Sequence, residues 1–248
     1  MTRNSLPPAI SVIIPTLQEE DEILHLLTQF TPELRARHRL EIIVSDGGST
    51  DRTREIALPH VDRFLCPPAG YPQTIAGGRN SGAEAAAGDL LIFFNADVRI
   101  GDPELFFRTM EEAFMEEPVV AATCSISVHP EEETGGDKIF HTIFNLYCRL
   151  LNAVGIGMGR GECHVVRKNV FRDVGGYRES IAAGEDFELF VRLRRKGKIA
   201  FVAGLRVFES PRRYRAMGYV RLSMLWFANA VSVLFRRRSL SRTWAPVR

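Results

Sequence analysis

Short unbroken apolar runs alternate along the first half of the chain with longer amphipathic stretches. This is the pattern of strands covered on both faces and of helices lying across them. Ile10 to Ile14 is a β-branched run ending at Pro15 and predicts a first strand. Thr16 is placed to cap a following helix that carries Glu19, Glu20, Asp21 and Glu22 in its first turn and buries Ile23, Leu26, Leu27 and Phe30. Glu41 to Ser45 predicts a second strand, broken at Asp46-Gly47-Gly48-Ser49-Thr50-Asp51, where a helix starts with Asp51 near its cap. Val61 to Leu65 predicts a short third strand, and Pro67-Pro68-Ala69-Gly70 a loop. Gly77-Gly78-Arg79-Asn80-Ser81-Gly82 opens an alanine-rich helix to Ala87, ended by Gly88.

The stretch from Leu90 to Ile100, LLIFFNADVRI, organises the rest. Leu90 to Phe94 predicts a central parallel strand that delivers Asn95, Ala96 and Asp97 to its carboxyl end, where ligands of open α/β sheets bind. An oxygen pair spaced N-x-D there suits a hard divalent cation carrying phosphates, Mg²⁺ or Mn²⁺; an ordinary strand-ending turn uses the same residue types. Pro103 to Glu117 predicts a helix with Leu105, Phe106, Met110 and Phe114 on one face, and Val119 to Val128 a strand. Strands alternating with helices predict an α/β fold with a mostly parallel central sheet. Thr16, Glu19, Asp46 and Asp97 then share one rim. No G-x-G-x-x-G follows the first strand and no G-x-x-x-x-G-K-[ST] occurs, so dinucleotide and P-loop sites are not expected.

The second half reads differently. Pro130 to Asp137 is an acidic loop, and Ile139 to Leu151 predicts a helix with an apolar face. Gly155, Gly157, Gly159 and Gly161 alternate in a loop suited either to a mobile lid or to close backbone approach. Cys163 to Arg167 predicts a strand that includes His164, Asn169 to Val174 a short helix, and Lys198 to Ala203 the last strand. Gly184-Glu185-Asp186 introduces a helix from Phe187 to Lys196. Read alone, Glu185 and Asp186 are acids favoured at a helix N-terminus.

Composition narrows the class. With 248 residues, 45% hydrophobic and 25% charged, the chain has the makeup of a globular protein, which excludes wholesale disorder. The net charge of +2 gives no reason to expect a nucleic-acid partner. Its distribution is uneven, since positive charge gathers from Arg192 onward and includes the run Arg236-Arg237-Arg238, pointing that part toward an anionic ligand or surface. Cys66, Cys124, Cys148 and Cys163 have no metal-ligand spacing, and the N-terminus has no signal-peptide pattern; a cytoplasmic protein is expected. Tyr219 to Phe235 is apolar around much of its circumference. It reads either as an interfacial helix at the inner face of an anionic membrane, with a lipid-linked acceptor, or as a helix packed on the domain or on a second subunit of a homodimer.

Four blocks, SVIIPTLQEE, IIVSDGGSTD, GRNSGAEAAAGDLLIFFNADV and FRDVGGYRESIAAGEDFELFVRLRRKG, resemble in order and spacing the family 2 glycosyltransferases of GT-A fold. The resemblance runs from about Ile10 to Val202. It implies a nucleotide-diphosphate sugar donor, a divalent cation and transfer with inversion, in a domain over 1–205. Within that domain, 10–128 would bind the donor and 129–205 the acceptor, with 206–248 a basic extension. By the resemblance, Pro15, Thr16 and Glu19 contact the nucleoside, Asp46 accepts a hydrogen bond from the base, and Arg79 and Asn80 approach the ribose and diphosphate. Asp97 ligates the metal, and Asp186 is the general base with Glu185 beside it. Asn95 stands where the family's first D-x-D acid would be, which either lowers the metal affinity or turns Asn95 to the ribose; Ala96 beside it counts among the donor-binding residues, and Gly47 replaces a second acid after Asp46. No histidine follows the last strand, which leaves Glu209 or Ser210 as substitute ligands. Arg212, Arg213 and Arg215 suit either a diphosphate clamp or a solvated basic loop. A glycosyltransferase is the reading; a non-catalytic nucleotide-sugar-binding partner of a glycan pathway is the alternative.

Overall fold

A computed structural model describes residues 9–68, 73–236 and 238–241, apart from the side chain of Leu234. Ala69, Gly70 and Arg237 of the expected loop and basic run lie outside the described residues.

The chain begins with strand β1 (Ile10–Thr16), short helices α1 (Ile23–Leu27) and α2 (Pro32–His38), and strand β2 (Leu40–Asp46). Helix α3 (Thr53–Ala57), strand β3 (Arg63–Leu65), helix α4 (Ile75–Ala85) and strand β4 (Leu90–Phe94) follow. Next come β5 (Val98–Ile100), α5 (Pro103–Ala113), β6 (Val119–Val128) and the long helix α6 (Gly135–Ala153). The remainder is β7 (Cys163–Arg167), α7 (Lys168–Asp173), α8 (Glu185–Arg194), β8 (Lys198–Glu209), α9 (Arg212–Met217) and α10 (Tyr219–Arg236).

Among the described residues, eight strands form one sheet in the order β3-β2-β1-β4-β7-β6-β8-β5. The half from β3 to β4 is wholly parallel, and β6 pairs β8 in parallel, while β7 runs against both β4 and β6. Every residue of β1, β2 and β4 is buried. Alternation of side chains across the sheet divides the core in two. Ile10, Val12, Ile14, Ile92 and Phe94 pack with α1, α2 and α5 on one face. Ile13, Leu91 and Phe93 pack with α4 and α8 on the other.

Helix α4 lies close on β1 because Gly82 faces it. A Cβ at Gly82 would stand 2.3 Å from Ile13 Cγ2. Gly82→Ala therefore overpacks the core by about 1–3 kcal/mol, against a helix-propensity gain of about 1 kcal/mol. A melting temperature below that of the wild type is the expected result, read by thermal denaturation.

Three expectations are corrected. Thr16 does not cap a helix: it is the last residue of β1, in register with Asp46, and its hydroxyl donates to the Asp46 carboxylate at 2.9 Å. Helix α1 starts only at Ile23, behind Glu22, without a side-chain cap. The last strand continues six residues past Ala203 to Glu209. A register shift between Cys124 and Ser125 of β6 bulges β8 around Gly204, which interrupts the apolar pattern without ending the strand. The boundary expected at residue 205 thus falls inside β8.

Candidate active site

The carboxyl ends of β1, β2 and β4 point the same way and present Thr16, Asp46 and the Asn95-Ala96-Asp97 turn side by side. That turn joins β4 to β5, so the strand-ending turn and the candidate site are one segment. Pro15 is buried in β1 opposite Ser45, and Ala96 is buried beneath the turn.

Asp46 organises the loop after β2. One carboxylate oxygen accepts from Thr16 Oγ1 (2.9 Å) and Ser49 Oγ (2.5 Å), the other from the Gly48 and Ser49 amides (3.0 and 2.8 Å). Gln18, with φ of 58°, ties this loop to the end of β1: its amide oxygen accepts from Thr50 N and Asp51 N, and its nitrogen donates to Thr50 Oγ1. Sequence reasoning missed Gln18, whose partners stand about thirty residues away, and Ser49, whose hydroxyl also accepts from the Gln18 N–H at 2.7 Å.

Asp97 and Glu19 meet across Arg212. The Arg212 guanidinium donates to Glu19 at 2.8 Å and to Asp97 at 3.0 Å, so α9 folds back over the site. Burial pushes Glu19 up to about 7, with Arg212 opposing, and burial likewise raises Asp97 above the usual carboxylate range. Neither sequence reading of Arg212 anticipated this carboxylate bridge. Arg213 is half-buried within electrostatic reach of Asp97, Arg212 and Glu162. A cleft of about 390 Å³ opens beside the bridge, lined by Gln18, Glu19, Glu22, Ser210 and Arg212 among others.

Arg79 and Asn80 both engage protein partners. Arg79 is fully buried over the Tyr177 ring; it donates to Glu185 Oε1, Asn95 Oδ1 and the Gly161 carbonyl, each at 2.9 Å. Asn80 binds the backbone N–H and carbonyl of Tyr177. Both therefore knit the fold around the site. Asn95 is held by Arg79, which orients its amide nitrogen toward Gly161: a Cβ on Gly161 would lie 3.2 Å from Arg79 Nη2, 3.7 Å from Asp186 Oδ2 and 3.9 Å from Asn95 Nδ2. Asp186, in the first turn of α8, converges on that point. Burial first, then the neighbouring Glu185 charge, pushes its carboxyl up to about 7.

The alternating glycines serve close approach. A Cβ at Gly159 would sit 2.5 Å from the Phe190 ring, and one at Gly157 2.5 Å from the Phe190 carbonyl. The loop delivers Arg160 and Glu162, which sequence reasoning also missed. Arg160 donates to Glu209, to Tyr214 Oη at 3.1 Å and to His141 Nδ1 at 3.1 Å, and pairs with Glu162 at 3.3 Å. Burial, reinforced by Arg160, drops His141 to about 3, so it is neutral and accepts. Glu209 thereby faces Arg160 and Tyr214. Ser210 donates its backbone N–H to the Asp97 carbonyl at 3.2 Å. His164 is a buried strand residue bonded to Tyr177 Oη at 2.7 Å.

The sequence profile of glycosyl transferase family 2 matches residues 11–175. The chain belongs to that family. The succinoglycan biosynthesis protein ExoA of Rhizobium meliloti is 33% identical over 202 residues, 75% of this glycosyltransferase and 58% of ExoA. The chain thus spans a little over half the length of that relative. Among solved structures, the mannosyltransferase PcManGT of Pyrobaculum calidifontis in complex with GDP-Man and Mn²⁺ superposes with a TM-score of 0.64 at 16% identity, over 92% of this chain and 65% of that one. S. aureus TarS 1-349 in complex with UDP-GlcNAc superposes with a TM-score of 0.61 at 16% identity, over 82% and 58% of the respective chains. These likenesses show the GT-A fold for the family 2 glycosyltransferase. Among the described residues, no helix is long and apolar enough to cross a membrane, and all four cysteines are free.

Proposed function

We propose that this glycosyltransferase moves a sugar, with inversion, from a nucleotide-diphosphate sugar to an acceptor hydroxyl, with Asp186 as general base. The observation that carries the reading is the convergence of Asp186, Asn95 and the buried Arg79 on one point beside Gly161. A carboxylate held up to about 7 by burial is poised to take a proton near neutrality. Arg79 fixes Glu185 and Asn95 on either side, so the base is oriented by a rigid, buried partner rather than by solvent. The donor lies on the 10–128 side by this reading, joined by Arg212 and Arg213 from beyond β8, and the acceptor on the side of α6 to α8.

The donor set fits a divalent cation at Asp97. Asp97 and Glu19 already hold one positive charge between them in Arg212, and their oxygens are the hard ligands that Mg²⁺ or Mn²⁺ takes. Among the described residues no group of three or more His, Cys, Asp or Glu could hold a metal unaided, so phosphate oxygens and water would complete the shell. A bound cation would supply charge compensation for the leaving diphosphate. Arg212, released from Asp97, has a fork suited to the same phosphates.

Titration with a panel of nucleotide sugars, with and without Mn²⁺, tests the reading. One donor is expected to bind more tightly with Mn²⁺, and Asp97→Ala to lose on the order of 100-fold of that affinity. A chain that binds none of the donors under any metal condition overturns it.

A further inference from the structure

Helices α6 and α10 leave their most apolar faces to solvent. On α6 and at its C-cap, Ile139 (65% exposed), Ile143, Leu146, Leu150 and Val154 recur at the three- and four-residue spacing of one helix face. On α10, Val220, Met224, Phe227 (69% exposed), Val231 and Phe235 (85% exposed) do the same. The two helices touch through Phe140, Phe144 and Trp226, with ring centroids 5.7–6.4 Å apart. Their inner faces bury Cys148 and Asn152 on α6, and Leu222 and Val233 on α10, so both outer stripes look away from the body of the protein. An apolar surface of this length on a protein surface marks an interaction site.

Charge selects the partner. The sequence carries no Asp or Glu between Lys138 and Arg160, and none after Glu209. Arg149, Arg221, Arg236 and Arg238 are exposed on or just beyond the two helices. On the flank of α6 away from α10, a cleft of about 430 Å³ gathers Lys138, Arg149 and Arg206 beside Leu146, with Glu133 as its one acid, 3.6 Å from Lys138. Apolar stripes next to a cationic cleft match acyl chains beside anionic headgroups. A protein partner would need a long hydrophobic face edged with acids to match the same pattern. We infer that α6 and α10 together seat this protein on an anionic lipid surface, with the Lys138–Arg149–Arg206 cleft receiving headgroup phosphate.

The surface is tied to the reacting end of the fold. Val233 of α10 lies 3.8 Å from where a Cβ on Gly184 would be, directly before Glu185 and Asp186. Basic side chains near an anionic membrane and buried apolar side chains act together in such interfacial helices. The inference goes beyond the transferase reading and stands apart from it, because no donor enters its test.

Flotation of the full chain with phosphatidylcholine vesicles, with and without phosphatidylglycerol, supplies that test. The chain is expected to float with the phosphatidylglycerol vesicles and to release as salt rises. The double variant Ile143→Asp/Phe227→Asp alters only exposed side chains and keeps the wild-type circular dichroism. It should partition at least about tenfold less, a loss set by removing two large apolar side chains from the interface. Hydrogen exchange should slow on vesicle addition within 139–156 and 219–236. Failure to float with anionic vesicles, or flotation that the double variant leaves unchanged, overturns the inference. So does a dimer in sedimentation velocity that the double variant dissociates while vesicles capture neither protein, which would give the face to a second copy of the chain.

Discussion

Asp186→Asn should abolish nearly all transfer while leaving donor affinity within about twofold of the wild type. General-base catalysis contributes about a hundred- to ten-thousand-fold, and the amide cannot accept the acceptor proton. The pH dependence follows from the raised carboxyl. With a pKa of about 7 in the fold, Asp186 is protonated at acid pH, so kcat/KM should climb tenfold per unit up to about pH 7 and then level. The same shift predicts a stability effect of definite sign. Its folded value lies above the unfolded value of about 3.9, so the native state binds the extra proton between the two, and its stability falls as pH rises through that window. Asp186→Asn removes this cost, and the variant should melt above the wild type at pH 8 with the difference closing toward pH 4. Steady-state kinetics and thermal melts on one preparation separate the two effects. An Asn variant with wild-type turnover would remove Asp186 from the chemistry.

The pattern of the sequence carried the framework well because it is set by local periodicity. Leu90–Phe94 and Val119–Val128 agree end to end with the expected strands, and the Asn95-Ala96-Asp97 turn stands at the carboxyl end of the sheet as expected. The errors share a cause. Thr16 looks like a cap until its hydroxyl finds Asp46, thirty residues on, and nothing local marks that the Arg79 guanidinium finds Glu185, 106 residues on. Burial partners at such separations leave no mark in local spacing. β8 escaped in part because the bulge at Gly204 imitates a strand end. The apolar face of α6 was visible as a face, but whether a face meets the core or solvent is decided by what packs on its other side, here Trp226 of α10.

Replacing Arg79 by methionine should cost about 3–5 kcal/mol of stability, the loss that follows when one partner of a buried ion pair is removed. Arg79 is 1% exposed, and its three acceptors, Glu185, Asn95 and the Gly161 carbonyl, lie in three different segments of the chain. Methionine fills similar volume over the Tyr177 ring, so a cavity does not explain the loss. The cost comes from a Glu185 carboxylate left in the interior without its cation, and from a carbonyl left without a donor. Lysine should not rescue it, because a single ammonium cannot span acceptors arranged for a planar fork. The decisive comparison in urea denaturation is with Arg79→Met/Glu185→Gln. If the buried pair is the cause, removing the stranded charge restores much of the lost stability, and the double variant is more stable than Arg79→Met alone. A double variant weaker than the single one would mean that Glu185 is held by groups other than Arg79. Either variant should also lose turnover, since Asn95 and the first turn of α8 are aligned through the same guanidinium: the charge that stabilises the fold is the one that sets Asp186 in place.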